Sequence, residues 1–221
     1  MQSQQHFQKE ITVKKEANMS YLLSLPEDYE KNSETEYPLV LFLHGMGERG
    51  DDLELVKVHG PAKLAEEKSF PFILVSPQCP LETGHSTWET YLDDLVALVD
   101  DVVENYRADK KRIYVTGLSM GGYGTWELAK RYSDRFAAAA PICGGGSVKG
   151  IERLKDVAVW AFHGAKDDVV PLEESEKMVN ALQEVGANVK LTVYPEANHD
   201  SWTDTYNNPE FYSWLLSHRK Q

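Results

Sequence analysis

The chain has 221 residues, 42% of them hydrophobic, which suits one α/β domain with a substantial core and is short for two. Its 23 Lys and Arg against 35 Asp and Glu leave a formal net charge of -12, which repels a phosphate backbone and argues against nucleic acid as a partner. The longest basic clusters, KKR at 110–112 and HRK at 218–220, are brief and read as solvated charge. No stretch approaches the roughly eighteen apolar residues of a membrane span, and the first twenty lack the apolar run of a signal peptide. The expectations are therefore a single domain over 1–221 with 1–10 poorly ordered, and no membrane insertion. The location expected is cytoplasmic, or secreted if a leader has been removed. The sequence carries no signature of an oligomeric state.

In chain order, residues 11–13 and 21–25 are β-prone and flank a turn-like 16–18, predicting an N-terminal hairpin or two antiparallel edge strands. Leu39 to Leu43 is a continuous apolar run, as in a strand covered on both faces. HGMGERGDD, 44–52, follows it directly, where open α/β sheets place their ligand crevice. A Gly-rich turn there can point a backbone N–H into the crevice. His44 reads as a loop brace, and Glu48, Arg49 and Asp51 as loop-holding or solvated residues. Residues 60–67 read as a short helix opened by a proline, 72–75 as a second buried strand, and 76–89 as a loop with Gln78, His85 and Trp88. Trp88 either lines a cleft or packs on the core.

From Leu92 to Tyr106 apolar residues recur at helical spacing. Asp93, Asp94, Asp100, Asp101 and Glu104 fall largely opposite, a solvated face rather than a metal site. Ile113, Tyr114 and Val115 then read as a buried strand that GLSMG, 117–121, breaks sharply. A serine on so tight a strand-to-helix turn must take a strained backbone, and glycines two positions before and after it keep side chains out of the crowded flanks. The turn pushes the hydroxyl of Ser119 out of the sheet.

A helix over about 122–132, strands over 136–141 and 157–162, and a helix carrying Met178, Val179, Leu182 and Val185 follow. A strand at 189–194 and a helix around 210–217 complete the chain. The connection between Pro141 and Val157 is too short for a folded cap domain. The alternation predicts an α/β fold: a doubly wound, mainly parallel sheet with helices on both faces.

Acyl transfer by serine needs a base, a carboxylate that orients the base, and N–H donors for the growing oxyanion. Ser119 follows one strand, Asp167 or Asp168 follows the next but one, and His199 follows the last. That is the chain order Ser, Asp, His of the nucleophile-elbow hydrolases.

PLVLFLHGMGERGDD, GLSMGGYGTW, HGAKDDVVP and NHDSW together resemble the α/β-hydrolase family. The resemblance is to small carboxylesterases of the phospholipase/carboxylesterase and predicted-peptidase type, close to feruloyl esterase and polyhydroxybutyrate depolymerase domains. It runs from about Tyr21 to Leu216. It implies Ser119 as nucleophile, His199 as general base, Asp167 rather than Asp168 as the acid, and the backbone N–H groups of Met46 and Met120 as the oxyanion hole. Trp88, Trp202 and Gln78 are candidate substrate-binding residues, with a lid on the core as the other reading of Trp202. His163 reads as structural, and His6, His59 and His218 as surface residues.

The family's strand order places the strands from Phe72 and Leu39 side by side. The strands preceding Cys79 and Cys143 are then separated by two others, about 14 Å, beyond disulfide reach. Both are expected as free thiols, and neither has zinc-ligand spacing, so no metal and no cofactor are expected. The implied function is a serine carboxylesterase acting on short-chain or aromatic esters, with a small-molecule or polysaccharide-linked ester as partner. The alternatives are a feruloyl or acetyl esterase of plant cell-wall polysaccharide, a serine peptidase, and a non-catalytic binding protein on a hydrolase scaffold.

Overall fold

A computed structural model describes residues 6, 8, 15–31, 33–82 and 86–221. Among the described residues seven strands form one sheet: β1 (Tyr21–Ser24), β2 (Tyr37–Leu43), β3 (Ile73–Pro77), β4 (Ala108–Leu118), β5 (Ala138–Ile142), β6 (Ala158–Gly164) and β7 (Val189–Tyr194). Their order is β1-β3-β2-β4-β5-β6-β7, with β1 antiparallel to β3 and every other pairing parallel. This is the α/β-hydrolase arrangement, and no large cap covers the sheet among the described residues. The strands from Phe72 and Leu39 are neighbours, as expected.

The helices are α1 (Gly60–Leu64), α2 (Leu92–Asn105), α3 (Met120–Arg131), α4 (Glu173–Glu184), α5 (Trp202–Asn207) and α6 (Pro209–Ser217). Alternate residues of β2 show why its apolar run is continuous. Leu39, Leu41 and Leu43 enter one core with Leu95, Val99, Val102, Leu128 and Met178, whereas Val40 and Phe42 enter another with Tyr206, Phe211 and Leu215. Each strand residue is buried by one face or the other, so no position is left for a polar side chain. None of the helices among the described residues is long and apolar enough to cross a membrane.

Several boundaries differ from the sequence reading. Residues 11–13 lie outside the described residues, and β1 finds its partner in β3. Strand β4 begins well before Ile113, running through the charged 109–112, because Tyr37 of β2 pairs with Ala108. Helix α5 had no periodic signal in six residues. Asp94 corrects the reading of a wholly solvated acidic face: it is 4% exposed and ion-paired with Lys15, which reaches across from the N-terminal segment. Cys79 and Cys143 are free and buried, on strand ends separated by two strands.

Candidate active site

Four loops at the C-terminal ends of β2, β4, β6 and β7 converge because the register brings them together. Leu43 of β2 stands beside Gly117 of β4, so the HGMG turn lies along the serine turn. Gly164 of β6 stands beside Tyr194 of β7, and the Lys166 N–H donates to the Ala197 carbonyl at 2.9 Å, so the loops bearing Asp167 and His199 run together. Ser119 sits between β4 and α3 at φ 53°, ψ -118°, outside the regions an L-residue favours. Its N–H is held by the Ile142 carbonyl at 3.0 Å and by Cys143 Sγ at 3.3 Å.

Ser119 Oγ lies 2.9 Å from His199 Nε2, and His199 Nδ1 lies 2.8 Å from Asp167 Oδ2. An ionised carboxylate only accepts, so Nδ1 carries the proton and Nε2 is left to accept from the serine hydroxyl. The second oxygen, Asp167 Oδ1, accepts from the N–H groups of Val169 and Val170, both at 2.9 Å. Burial pushes the Asp167 carboxyl up, but the bonds from His199, Val170 and Val169 together outweigh it and hold the group below the usual carboxylate value. Asp168 is exposed and apart from this chain of bonds. His163 lies 3.2 Å from Asp167 Oδ2 and bonds Ser175 and the Val170 carbonyl, bracing the loop from below.

A cavity of about 530 Å³ opens over Ser119. Met46 and Met120 both border it. Trp202 also lines it, edge-on to His199 with ring centroids 5.3 Å apart. Trp88 touches the cavity yet is fully buried, its Nε1–H donating to the His44 carbonyl at 2.9 Å, so packing is its main work. Gln78 is a correction. It does not border the cavity; its Nε2 donates to the carbonyls of Glu48 and Asp52, each at 2.8 Å, and it pins the HGMGERGDD loop from inside. Arg49 pins the same loop through the carbonyls of Met46 and Ser86.

Two cavity residues were read otherwise in the sequence. His59 is half-buried and lines the cavity rather than the outer surface, and Glu48 is 8% exposed, with its Oε1 3.7 Å from His59 Nε2. Burial raises the Glu48 carboxyl above its ordinary value, against the pull of His59. No local pattern marks either residue; a carboxylate five residues after the end of β2, in a loop that turns back over the sheet, is the only hint. His85 lies outside the described residues. Cys143, Asp167 and His199 place one ligand atom each within 4.8 Å of one another. They fit a metal poorly: Asp167 and His199 are bonded to each other, and burial pushes the Cys143 thiol up to about 12.

His44 is no rival base. Its Nε2 accepts the Cys79 N–H at 2.9 Å and its Nδ1 faces the Gly45 carbonyl at 2.6 Å, so the neutral ring is fully used. Burial lowers its pKa from 6.5 to about 4. The folded protein thus binds this proton more weakly than the unfolded chain, and His44's contribution to stability is whole above pH 6.5 and lost as pH falls toward 4. The loss expected is about 3 kcal/mol. Urea unfolding at pH 7 and pH 4.5 checks this: His44→Gln should show a smaller fall in midpoint than the wild type.

The model of the dienelactone hydrolase family matches residues 78–210. A bifunctional acetylxylan esterase/xylanase from Neocallimastix patriciarum is 31% identical over 144 residues, 63% of this chain and 20% of that one. A protein named "Probable feruloyl esterase C" from Aspergillus terreus is 28% identical over 169 residues, covering 72% and 59%. Among solved structures, a thermostable esterase superposes with a TM-score of 0.80 at 37% identity, over 91% of this chain and 60% of that one. The chain therefore spans between a fifth and three fifths of the length of these relatives.

Proposed function

The chain belongs to the dienelactone hydrolase family, a hydrolase family in which it has esterase relatives, and from that premise we propose that it is a serine carboxylesterase. The observation that carries the reading is the unbroken line Ser119 Oγ, His199 Nε2, His199 Nδ1, Asp167 Oδ2, with spacings of 2.9 and 2.8 Å. Ser119 attacks the ester carbonyl as His199 takes its proton. The backbone N–H groups of Met46 and Met120 receive the oxyanion, each such donor being worth about 3 kcal/mol in the transition state. His199 then protonates the departing alcohol, leaving the acyl group on Ser119. Water activated by the same imidazole releases the acid. The residues themselves supply base, nucleophile and oxyanion donors, so this reaction calls for no cofactor.

A polysaccharide-linked ester as substrate is favoured by the uncapped cavity and its apolar rim, where Met46 is 54% and Val169 64% exposed. The names of the acetylxylan and feruloyl esterase relatives agree with that. The test of the mechanism is covalent labelling with a fluorophosphonate followed by peptide mass spectrometry. The adduct is expected on Ser119; an adduct elsewhere, or none, overturns the reading.

A further inference from the structure

The cavity over Ser119 does not end at Trp202. A second crevice, of about 240 Å³, shares His59 and Trp202 with it and is otherwise walled by residues that include Lys63, Glu67, Thr203 and Asn207. The side of the reaction it serves follows from the chemistry. The leaving oxygen takes its proton from His199 Nε2, so the alcohol portion of the ester must lie on the His199 side. On that side a row of groups leads away from the reacting centre. Trp202 packs 5.3 Å from His199, His59 lies 5.4 Å from Trp202, and Glu48 Oε1 lies 3.7 Å from His59 Nε2.

An aromatic and an imidazole stand at the joint; beyond it the Lys63 amine and the Glu67 carboxylate offer donors and acceptors, Thr203 and Asn207 keep an oxygen each beyond the bonds of Thr203 Oγ1 to Asp200 and of Asn207 Nδ2 to the Thr203 carbonyl, and Leu64 and Tyr206 add apolar wall. Hydroxyl-rich ligands satisfy such a surface, because each hydroxyl both donates and accepts. An anionic alcohol is disfavoured by the net charge of -12. Another opening, past Tyr123 and Glu89, leads to carboxylates that already have partners, Glu127 with Lys130 and Glu174 with Lys177.

We propose that the crevice beyond His59 and Trp202 is a subsite for a sugar ring in the alcohol portion of the ester. This rests on the serine-esterase reading above. Its test compares two esters with the same acyl group, xylose tetraacetate and p-nitrophenyl acetate, in the wild type, in Lys63→Ala, which removes an exposed amine that lines the crevice and not the cavity over Ser119, and in Asn207→Trp, which fills the crevice from an exposed position. Both variants are expected to lose about tenfold or more in kcat/KM for the sugar acetate, the scale of one lost hydrogen bond. They should stay within about twofold of wild type for the nitrophenyl ester. A merely structural effect moves both esters together and overturns the subsite, as does a wild type that turns over the nitrophenyl ester and ignores the sugar ester. No turnover of either ester, with no label on Ser119, overturns the reading beneath it as well.

Discussion

Ser119→Ala is expected to lower kcat on p-nitrophenyl acetate by about a millionfold, leaving only what binding and the oxyanion donors supply. The size follows from how tightly the parts depend on one another. His199 Nε2, 2.9 Å from the hydroxyl, has no proton to take once the oxygen is gone. Asp167→Asn should cost less, about ten-thousandfold, because the amide can offer its N–H to Nδ1 and trap the imidazole in the wrong tautomer while the serine itself stays in place. The two variants separate in a labelling experiment: Ser119→Ala should take up no fluorophosphonate, and Asp167→Asn should take it up slowly. Equal loss in an Asp168→Asn variant would contradict the assignment, since that side chain is exposed and the two ring nitrogens of His199 face Asp167 and Ser119.

Gly121→Ala is expected to unfold the protein or leave it barely folded. A β-carbon at 121 would stand 1.9 Å from the Leu43 carbonyl oxygen, 2.6 Å from the Leu43 carbonyl carbon and 2.7 Å from the His44 oxygen. These are backbone atoms at the end of a central strand, and they cannot turn aside as a side chain can. Moving them shifts the HGMG turn and the strand that both cores bury. The penalty belongs with the rare substitutions costing more than about 4 kcal/mol, against a total stability of about 5–15 kcal/mol. Gly47→Ala is the control, because nothing lies within 4 Å of a β-carbon there. In thermal unfolding the Gly121 variant should melt at least about 10 °C below Gly47→Ala; equal midpoints would show that α3 can slide away from β2.

The same contact explains why so much of the site was legible. The serine turn is written in a few adjacent residues, because the constraint is local: α3 must start one residue after Ser119 and pass against β2 with no side chain between. The apolar runs at 39–43 and 157–162 likewise announce strands whose two faces are both covered. Where burial depends on a distant segment, the sequence misled. Gln78, a candidate substrate-binding residue in the loop 76–89, turns inward, where its amide donates to the carbonyls of Glu48 and Asp52. His59 looked like a surface residue, and Asp94 part of a wet helix face, until Trp202 and Lys15 were brought against them from far along the chain.

The sequence by itself determined the α/β alternation, the strained serine turn and the chain order of Ser119, Asp167 or Asp168, and His199 at strand ends. Each of these rests on backbone geometry or periodicity confined to a short window. Only the tertiary structure decided that Asp167 and not its neighbour reaches His199, that Glu48 and His59 wall the cavity, and that a second crevice continues past Trp202. Those outcomes depend on the register of β6 against β7 and on where loops from separate strands come to rest. They follow from the sum of many weak contacts between remote residues, which no local stretch of sequence contains.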